Sequence, residues 1–487
     1  MNDACAQTPK GSDEHPWSLG AIARMVKATV AGISPEDWRL VSSLIVSGVV
    51  LDSRRIHGGE IFIALGGERV DGHEFIGEAF DQGAAAVVAR RAWWSRRKAA
   101  RAKGVHLLVE DPLAALQAWA GALRARIAPR VLAITGSSGK TSTKEMALAL
   151  LREQEGGVVG TLGNRNNEIG LPWSLLQLRS ADRWAVLELG ANRPGEIARL
   201  VAVARPDAAL ITCIGRAHVG PFGSVEQILA AKLELLEALP PEGTVIIPDD
   251  DSRLERAVAE RWSGRVLRFG WSPQADVRAG EAHYQLDGTE LTLADPVGQT
   301  RINLLGEAGV RAALAALAGV RALGVEHFDL QSLGRVPALA GRLDPVQTAA
   351  GVTWILDMYN ASPESVLHGL RFLSVSEISG RRIFVFGGMR ELGDEAEAIH
   401  REVGRAAGGC DAGLFLGEEA RITAPEAQKA GVSQVLWSND PKDVVRFLRD
   451  YLKRGDVVYL KGARAAALEQ VATALGVIGP EYGEEGL

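Results

Sequence analysis

Cysteine is scarce in this chain. Of 487 residues only three are cysteines, Cys5, Cys213 and Cys410, and they lie far apart. This spacing excludes a disulfide framework and a cysteine zinc site, so a reducing compartment is expected. Long apolar runs are missing as well, since none approaches the ~18–20 residues of a membrane helix. The N-terminus lacks the basic and apolar regions of a secretory signal. We therefore expect a cytoplasmic protein without membrane insertion.

An excess of positive charge is also absent. Lysine and arginine number 54 against 60 aspartates and glutamates, which gives a net charge of −6. One local stretch, residues 90–101, is basic and contains two tryptophans. Basic residues interleaved with aromatics can bind single-stranded nucleic acid, but on an acidic protein a solvated basic helix is the better interpretation. No nucleic-acid partner is expected.

The chain has ample apolar material for several cores. Its hydrophobic content is 47%, and its length corresponds to roughly three domains at ~100–200 residues each. Apolar strand-like runs alternate with helical stretches, which predicts an α/β protein. A polar segment, 271–300, has alternating apolar residues and predicts antiparallel strands. We place the domains at residues 17–128, 129–335 and 336–478, the last one a doubly wound unit.

The most informative stretch is Val131-Leu-Ala-Ile-Thr-Gly-Ser-Ser-Gly-Lys-Thr-Ser-Thr-Lys144. A short apolar strand leads into a glycine turn, and Lys140-Thr141 then opens a helix. This is the geometry in which backbone N–H groups and a helix N-terminus hold a phosphate. Lys140 would neutralise the β- and γ-phosphates and the Thr141 hydroxyl would bind Mg²⁺. The loop is shorter than the common pattern, because Ile134 stands where the first glycine belongs.

Two further apolar strands end in polar side chains. Ala185–Leu187 is followed by Glu188, and Ala208–Ile214 is followed shortly by His218. Ligands of open α/β sheets bind at the carboxyl ends of strands, and a carboxylate and an imidazole there suit a divalent metal beside a polyphosphate. Taken singly, Glu188 could instead cap a helix and His218 could be a hydrogen bonder at the edge of the core.

Together with motifs elsewhere, these residues resemble the Mur ligases, the ATP-dependent amide-forming enzymes of peptidoglycan precursor synthesis. The resemblance extends over about residues 17–475. The matching stretches are Asp52-Ser53-Arg54, Phe62–Gly66, Asp71–Phe75, Thr135–Glu145, Thr161–Pro172, Gly341–Asp344, Asp357–Pro363, Glu391–Gly393 and Lys461–Arg464. The segment Thr161–Pro172 is most typical of the members that add D-alanyl-D-alanine to UDP-N-acetylmuramoyl-tripeptide. Taken singly, Asp52-Ser53-Arg54 and Asp71-Gly-His73 could be ordinary turns.

The resemblance implies a three-domain fold and a role for each matching residue. It implies a small α/β uridine-nucleotide domain, a central P-loop ATPase domain with a mostly parallel sheet, and a C-terminal Rossmann-like domain. The ATP-binding residues would be Gly136, Ser137, Ser138, Gly139, Lys140, Thr141, Ser142, Arg342, Asp357 and Tyr359. The residues binding UDP-N-acetylmuramoyl-tripeptide would be Ser53, Arg54, Asp71, His73, Asn166 and Asn167. We expect a monomer.

The resemblance also implies the metal and catalytic residues. Thr141 and Glu188 would bind the Mg²⁺ that bridges the β- and γ-phosphates, and His218 with Lys232 would hold a second Mg²⁺. The matching lysine of the family is carbamylated, whereas from sequence alone Lys232 would pass for a solvated helix lysine. Lys140, Glu188, His218 and Lys232 are thus the expected catalytic residues.

Several positions depart from the family pattern. Its central helix usually begins Gly-x-His-Asn-x-x-Asn, where the asparagines help to read adenine; here the histidine and both asparagines are replaced by Ala308, Gly309 and Ala312. In the third domain Gly388 and Ala463 replace polar residues. A divergent but active ligase is the main hypothesis. The alternatives are a ligase of the same fold with another acceptor, including a folylpolyglutamate-type enzyme, and a non-catalytic relative that binds UDP-muramoyl peptide.

Overall fold

The computed structural model describes residues 16–67, 70–96, 104–479 and 482. Cys5 and the second half of the basic stretch 90–101 lie outside them. Within the described ranges, no helix combines the length and apolar character needed to cross a bilayer.

The first sheet has five strands in the order β1-β5-β4-β3-β2. They are β1 Thr29–Ala31, β2 Val49–Val50, β3 Ile61–Ile63, β4 Ala86–Arg90 and β5 Val105–Val109. Strand β1 pairs antiparallel with β5, and the other pairs are parallel. The accompanying helices are α1 Leu19–Met25, α2 Pro35–Val41, α3 Ile76–Asp81, α4 Arg91–Arg96 and α5 Pro112–Ile127.

The second sheet has nine strands in the order β14-β13-β12-β11-β10-β9-β6-β8-β7. They are β6 Arg130–Thr135, β7 Gly157–Gly160, β8 Asp182–Glu188, β9 Ala208–Ile211, β10 Thr244–Pro248, β11 Arg265–Gly270, β12 Val277–Gln285, β13 Gly288–Asp295 and β14 Val297–Ile302. Strands β8, β6, β9, β10, β11 and β12 are successively parallel. Strands β12 to β14 form an antiparallel extension, as predicted for 271–300.

Helices alternate with these strands along the chain. They are α6 Lys140–Arg152, α7 Gly170–Leu175, α8 Glu196–Ala204, α9 Val219–Phe222, α10 Val225–Leu233, α11 Ser252–Ala259 and α12 Gly306–Ala322. Helix α12 is alanine-rich and approaches the sheet closely, since a Cβ on Gly319 would lie 2.6 Å from Leu132 Cδ2. It also packs along α6. The helix that follows the phosphate loop is therefore fixed on both sides by a dry core.

The third sheet has six strands in the order β15-β16-β20-β17-β18-β19. They are β15 Asp344–Gln347, β16 Thr353–Asp357, β17 Arg382–Phe386, β18 Ala412–Leu416, β19 Gln434–Ser438 and β20 Val457–Lys461. Only the edge strand β15 is antiparallel to its neighbour. The helices are α13 Pro363–Val375, α14 Ala396–Ala406, α15 Thr423–Lys429, α16 Pro441–Tyr451 and α17 Glu469–Ala474. The predicted α/β class and the doubly wound third part are confirmed.

The chain divides into two compact units, and each unit is formed by two separate stretches of the sequence. The first unit comprises the residues up to Pro129 together with 165–182, and the second comprises 130–164 and the residues from Arg183 onward. Helix α7 packs on α5 in the first unit, where Gln117 Nε2 donates to Glu168 O at 3.1 Å. The boundaries of the three predicted domains stay a prediction.

Candidate active site

The phosphate loop has the conformation that its glycines predict. Gly136 and Gly139 both have positive φ, +144° and +79°, and helix α6 begins directly after Gly139. A Cβ on Gly136 would lie 2.0 Å from Thr212 Oγ1, so close approach as well as backbone conformation requires glycine there. The Lys140 Nζ donates to Gly136 O at 2.8 Å and thus folds back over the loop.

The loop is anchored on the segment that follows β9. Ser137 N donates to Cys213 O at 3.0 Å, and Gly215 N donates to Ser137 Oγ at 2.9 Å. Thr212 Oγ1 donates to Ser138 O at 2.5 Å. These bonds pair polar groups of Ser137 and Ser138 within the protein. They hold the loop in this conformation without a ligand.

Glu188 and Thr141 meet at the carboxyl ends of β8 and the start of α6. The Thr141 hydroxyl donates to Glu188 Oε2 at 2.9 Å. Glu188 is 2% exposed, and its N–H donates to Thr161 Oγ1 at 2.8 Å. Below it the fully buried Lys144 donates to Thr161 O at 2.9 Å and to Gly163 O at 2.8 Å. A hydroxyl and a carboxylate oxygen are hard donors of the kind that Mg²⁺ prefers.

Lys140 lies within electrostatic range of two other cations, Arg342 and Lys232. Burial lowers the pKa of Lys140, and the charge of Arg342 lowers it further against the opposing effect of Glu188. Burial, and then the charge of Lys140, lower the pKa of Lys232 to about 7. Lys232 is 4% exposed, so its interpretation as a solvated helix lysine is wrong. Converging cations in a partly buried pocket suit a polyphosphate, whose charge would offset their repulsion.

His218 forms a contact of its own, separate from the pair of Thr141 and Glu188. Its Nδ1 forms a short hydrogen bond with Glu391 Oε2, and its side chain is 30% exposed. The residue has φ +62° and precedes the short helix α9. Among the residues that the structure describes, no group of three or more His, Cys, Asp or Glu side chains could hold a metal ion.

The predicted ATP-binding residues of the third part form two separate contacts. The Arg342 guanidinium lies 4.0 Å from the centroid of the Tyr359 ring, and Asn164 Nδ2 donates to Tyr359 Oη at 2.5 Å. Asp357, by contrast, is buried and accepts from Lys461 Nζ at 2.7 Å. Tyr359, with Arg342 on its ring, therefore contacts the second sheet's part of the chain through Asn164. Asp357, in contrast, is hydrogen-bonded to a neighbouring strand of the third sheet.

In the first unit, the predicted substrate residues are held largely by turn chemistry. Asp71 accepts from His73 N at 3.1 Å and pairs with His73 Nδ1 at 2.6 Å, while Arg90 N donates to His73 Nε2 at 2.9 Å. Since a backbone N–H can only donate, Nε2 is the acceptor and Nδ1 carries the proton. Both nitrogens of His73 are therefore used inside the fold.

The other four candidates of this unit differ in exposure. Ser53 is buried and its hydroxyl donates to Glu78 Oε2 at 3.1 Å. The Arg54 side chain is 80% exposed and pairs with Asp52 at 2.7 Å. Asn167 Oδ1 accepts from Gly170 N at 2.9 Å at the start of α7, and its neighbour Asn166 is half-buried. Arg54, Asn167 and Asp71 are exposed and Asn166 is half-buried, so a ligand could reach these four, whereas Ser53 and His73 are buried.

Several residues that shape the site are not among the predicted site residues. Thr161, Thr212 and Asn164 act through hydrogen bonds to partners that are distant in the chain. Lys144 does lie in the quoted loop motif, but its burial depends on the carbonyls of 161 and 163. Only the observed packing distinguishes it from a surface lysine.

The three sheets and the phosphate loop with its Thr141–Glu188 contact define a nucleotide-using α/β enzyme with separate binding domains. The chain belongs to the Mur ligase family. Its middle domain matches the Mur ligase middle domain over residues 134–320, the third part matches the Mur ligase glutamate ligase domain over 341–464, and the first part matches the Mur ligase family catalytic domain over 45–124.

Two relatives of the same curated name illustrate the similarity. The UDP-N-acetylmuramoyl-tripeptide–D-alanyl-D-alanine ligase of Bacillus subtilis is 34% identical over 455 residues, which cover 92% of this chain and 96% of the relative. The ligase of the same name from Escherichia coli is 35% identical and covers 89% and 94%.

Solved structures with the same fold include MurF from Acinetobacter baumannii, with a TM-score of 0.82 and 28% identity over 94% of this chain and 98% of that one. MurF ligase from Thermotoga maritima in complex with ADP has a TM-score of 0.76 and 30% identity, and covers 88% and 96%. The resemblance to the Mur ligases that the motifs predicted is confirmed.

Proposed function

We propose that this chain joins D-alanyl-D-alanine to UDP-N-acetylmuramoyl-tripeptide at the expense of ATP, in peptidoglycan precursor synthesis. The observation that carries the proposal is the buried Thr141–Glu188 contact beside Lys140 on a preformed phosphate loop. The similarity to ligases of this name over nearly the full chain supports the choice of substrates.

The reaction has two steps. The terminal carboxylate of the tripeptide attacks the γ-phosphorus of ATP, so that an acyl phosphate forms and ADP leaves. The amine of the dipeptide then attacks the acyl carbon, loses a proton and expels phosphate. Activation is needed because a carboxylate is a poor electrophile, and the phosphoryl group supplies its leaving group.

In this scheme the chain contributes charge and position. Lys140 and Arg342 neutralise the negative charge that develops on the phosphoryl oxygens, which is where fixed cations accelerate phosphoryl transfer. The bonds from Thr212, Cys213 and Gly215 keep the loop rigid, so little free energy is spent on ordering it. Arg54, Asn166 and Asn167 are assigned to the nucleotide-sugar peptide.

The residues fit Mg²⁺ at one place. Thr141 and Glu188 offer adjacent oxygen donors in a buried setting, and they would hold the ion. When bound, Mg²⁺ would neutralise the β- and γ-phosphates and polarise the γ-phosphorus. For the second ion, His218 and Lys232 remain the proposed ligands; a pKa of about 7 leaves much of the Lys232 amine neutral at pH 7.5, the form that can react with carbon dioxide to give a carbamate.

The test is phosphate release from ATP and Mg²⁺ with UDP-N-acetylmuramoyl-tripeptide, with and without D-alanyl-D-alanine. Release that depends on the dipeptide is the expected result. Release with a single amino acid in its place would assign another acceptor, and binding of the UDP-peptide without any release would assign the non-catalytic alternative.

The Lys232 assignment has its own test. Lys232→Ala is expected to be inactive and to regain activity with added acetate or formate, whose carboxylates replace the carbamate. Full activity of the variant without additive would refute the assignment.

A further inference from the structure

The segment Cys213–His218 has two sides with different partners. On one side, Cys213 O and Gly215 N hold the phosphate loop through Ser137, as described above. On the other side, Arg216 contacts Glu364 and Glu402, and His218 contacts Glu391. All three glutamates lie in the part of the chain that forms the third sheet. A single short segment therefore touches the ATP loop and the C-terminal part of the second unit.

Arg216 makes the more extensive of these contacts. Its guanidinium donates to Glu402 on α14, from Nη1 to Oε2 at 2.7 Å and from Nη2 to Oε1 at 3.3 Å. Its backbone N–H donates to Glu364 Oε1 on α13 at 2.8 Å, and its Nε lies 3.6 Å from the same oxygen. A forked contact of this kind is geometrically specific and stronger than a single ion pair.

Glu364 depends on the positive charge of Arg216. Its Oε2 is buried with no hydrogen-bond donor among the described residues, and its carboxylate lies against Gly215, where a Cβ would be 2.5 Å from Glu364 Cδ. An incompletely paired buried carboxylate is costly unless a charge nearby compensates it. Replacing Arg216 by an acidic residue would bring a third carboxylate beside those of Glu364 and Glu402.

A second contact accompanies the first. Gly220 N donates to Glu391 O at 2.8 Å, and Gly393 approaches so closely that its Cβ would lie 3.0 Å from Gly220 Cα. Together with the His218–Glu391 pair, this contact seats the start of α9 against residues 391–393.

We infer that Arg216, with Glu364 and Glu402, is a positioning device that holds the C-terminal part against the phosphate-loop segment in the geometry for amide formation. The inference rests on the proposed function for its kinetic readout. Arg216 touches no reacting atom in this assignment; it acts by fixing the segment that ends in His218.

The kinetic test is charge reversal followed by restoration. Arg216→Glu is expected to lower kcat for dipeptide-dependent phosphate release by about ten-fold or more, with the Kd for ADP unchanged within about two-fold, because the loop's own anchors stay. Arg216→Glu with Glu402→Arg is expected to recover part of the loss, because the pair with residue 402 is restored while Glu364 still faces a carboxylate. Arg216→Gln, a milder change, should show a smaller decrease.

The matched control is Arg446→Glu, which removes an exposed ion pair to Asp443 on α16 and should leave kcat unchanged. An equal loss in this control, or no recovery in the double variant, would overturn the inference.

A second readout does not need activity. Hydrogen exchange of a peptide containing Gly220 is expected to accelerate in Arg216→Glu, since the Gly220 N–H bonds to Glu391, and to slow again toward the wild-type rate in the double variant. If wild-type protein releases no phosphate with the dipeptide, the proposed function fails, and the exchange result alone decides the role of Arg216. Unchanged exchange in Arg216→Glu would refute it.

Discussion

Asp357 and Lys461 are register partners at the carboxyl ends of the neighbouring parallel strands β16 and β20, and they form a buried ion pair with Nζ 2.7 Å from Oδ2. Tyr459 Oη donates to the same carboxylate oxygen at 3.1 Å. Burial, and then the charge of Asp357, raise the pKa of that tyrosine well above its ordinary value. This pair fixes the strand end from which Tyr359 extends.

We expect Lys461→Met to destabilise the third sheet by about 3–5 kcal/mol, because it leaves the Asp357 carboxylate buried without its cation. The double variant Lys461→Met/Asp357→Leu should recover much of the loss, since no charge is then left buried. Hydrogen exchange of the β16 and β17 amides gives the free energy of opening for each variant. A loss below about 1 kcal/mol in the single variant would mean that water already compensates the pair.

Gly136→Ala should destroy nucleotide binding. The added Cβ would lie 2.0 Å from Thr212 Oγ1, and either the loop or the β9 segment must move. We expect the Kd for ADP to rise at least a hundred-fold, which corresponds to about 2.7 kcal/mol. Isothermal titration measures it, and Gly121→Ala, where no atom lies within 4 Å of the new Cβ, is the control that should bind normally.

Two lysines four residues apart in the sequence should behave differently. Lys140→Ala is expected to lower kcat by about 10²–10³ or more, because one fixed charge on the transferring phosphoryl group is lost, while the protein stays folded. Lys144→Ala leaves Thr161 O and Gly163 O without their buried donor and should lower the thermal midpoint instead. Phosphate release and differential scanning calorimetry separate the two effects, and a Lys140 variant with wild-type turnover would refute the placement of the triphosphate.

The lowered pKa of Lys232 predicts how the stability of the folded protein changes with pH. Its pKa is lowered to about 7 in the folded protein against 10.5 as its ordinary value. Between these two pH values the unfolded chain binds more protons, so the contribution of Lys232 to stability rises from pH 7 to pH 10.5. Lys232→Met removes the cost of the buried charge, and we expect it to stabilise the protein most below pH 7 and progressively less toward pH 10.5. Calorimetry of carbonate-free protein at pH 6, 8 and 10 tests this, and a difference independent of pH would contradict it.

Base selectivity should be weak. Ala308, Gly309 and Ala312 offer no side-chain hydrogen bonds at the start of α12, and Arg311 is already paired with Asp250 and Glu307. Two hydrogen bonds to a base are worth about 1 kcal/mol each, so we expect kcat/KM for GTP within about thirty-fold of that for ATP. Ala312→Asn should increase the preference for ATP. A preference above about a thousand-fold in the wild type would show that other residues read the base.

The phosphate loop was predictable because its chemistry is local. Val131–Ile134, the two glycines and Lys140 lie in one short stretch, and the order of strand, glycine turn and helix start can be read there. The bonds from Thr212, Cys213 and Gly215 that hold the loop come from more than 70 residues away and could not be read from it. The apolar strands of the third sheet were equally clear, since Arg382–Phe386 and Ala412–Leu416 are almost wholly apolar runs in the sequence and form strands in the structure. A short hydrophobic run bounded by turn residues indicates a buried strand.

The contacts of Arg216 could not be predicted, because Glu364 and Glu402 lie 148 and 186 residues away. Ion pairs have no sequence period, and sixty acidic residues were available as partners. His73 shows a second limit: a turn histidine and a ligand-binding histidine have the same local sequence, and only the N–H of Arg90 at Nε2 distinguishes them.

The grouping of residues 165–182 with the first unit has a consequence for how the protein is made. Helix α7 completes the packing of α5, but the ribosome delivers it only after β6, α6 and β7 of the second unit have emerged. The first unit therefore cannot finish folding when residue 129 leaves the exit tunnel; its α5 surface waits for some fifty further residues, a few seconds at ~5–20 residues per second. A fragment ending at Pro129 would keep that surface uncovered, whereas a circular permutant that begins at residue 165 would deliver α7 before α5.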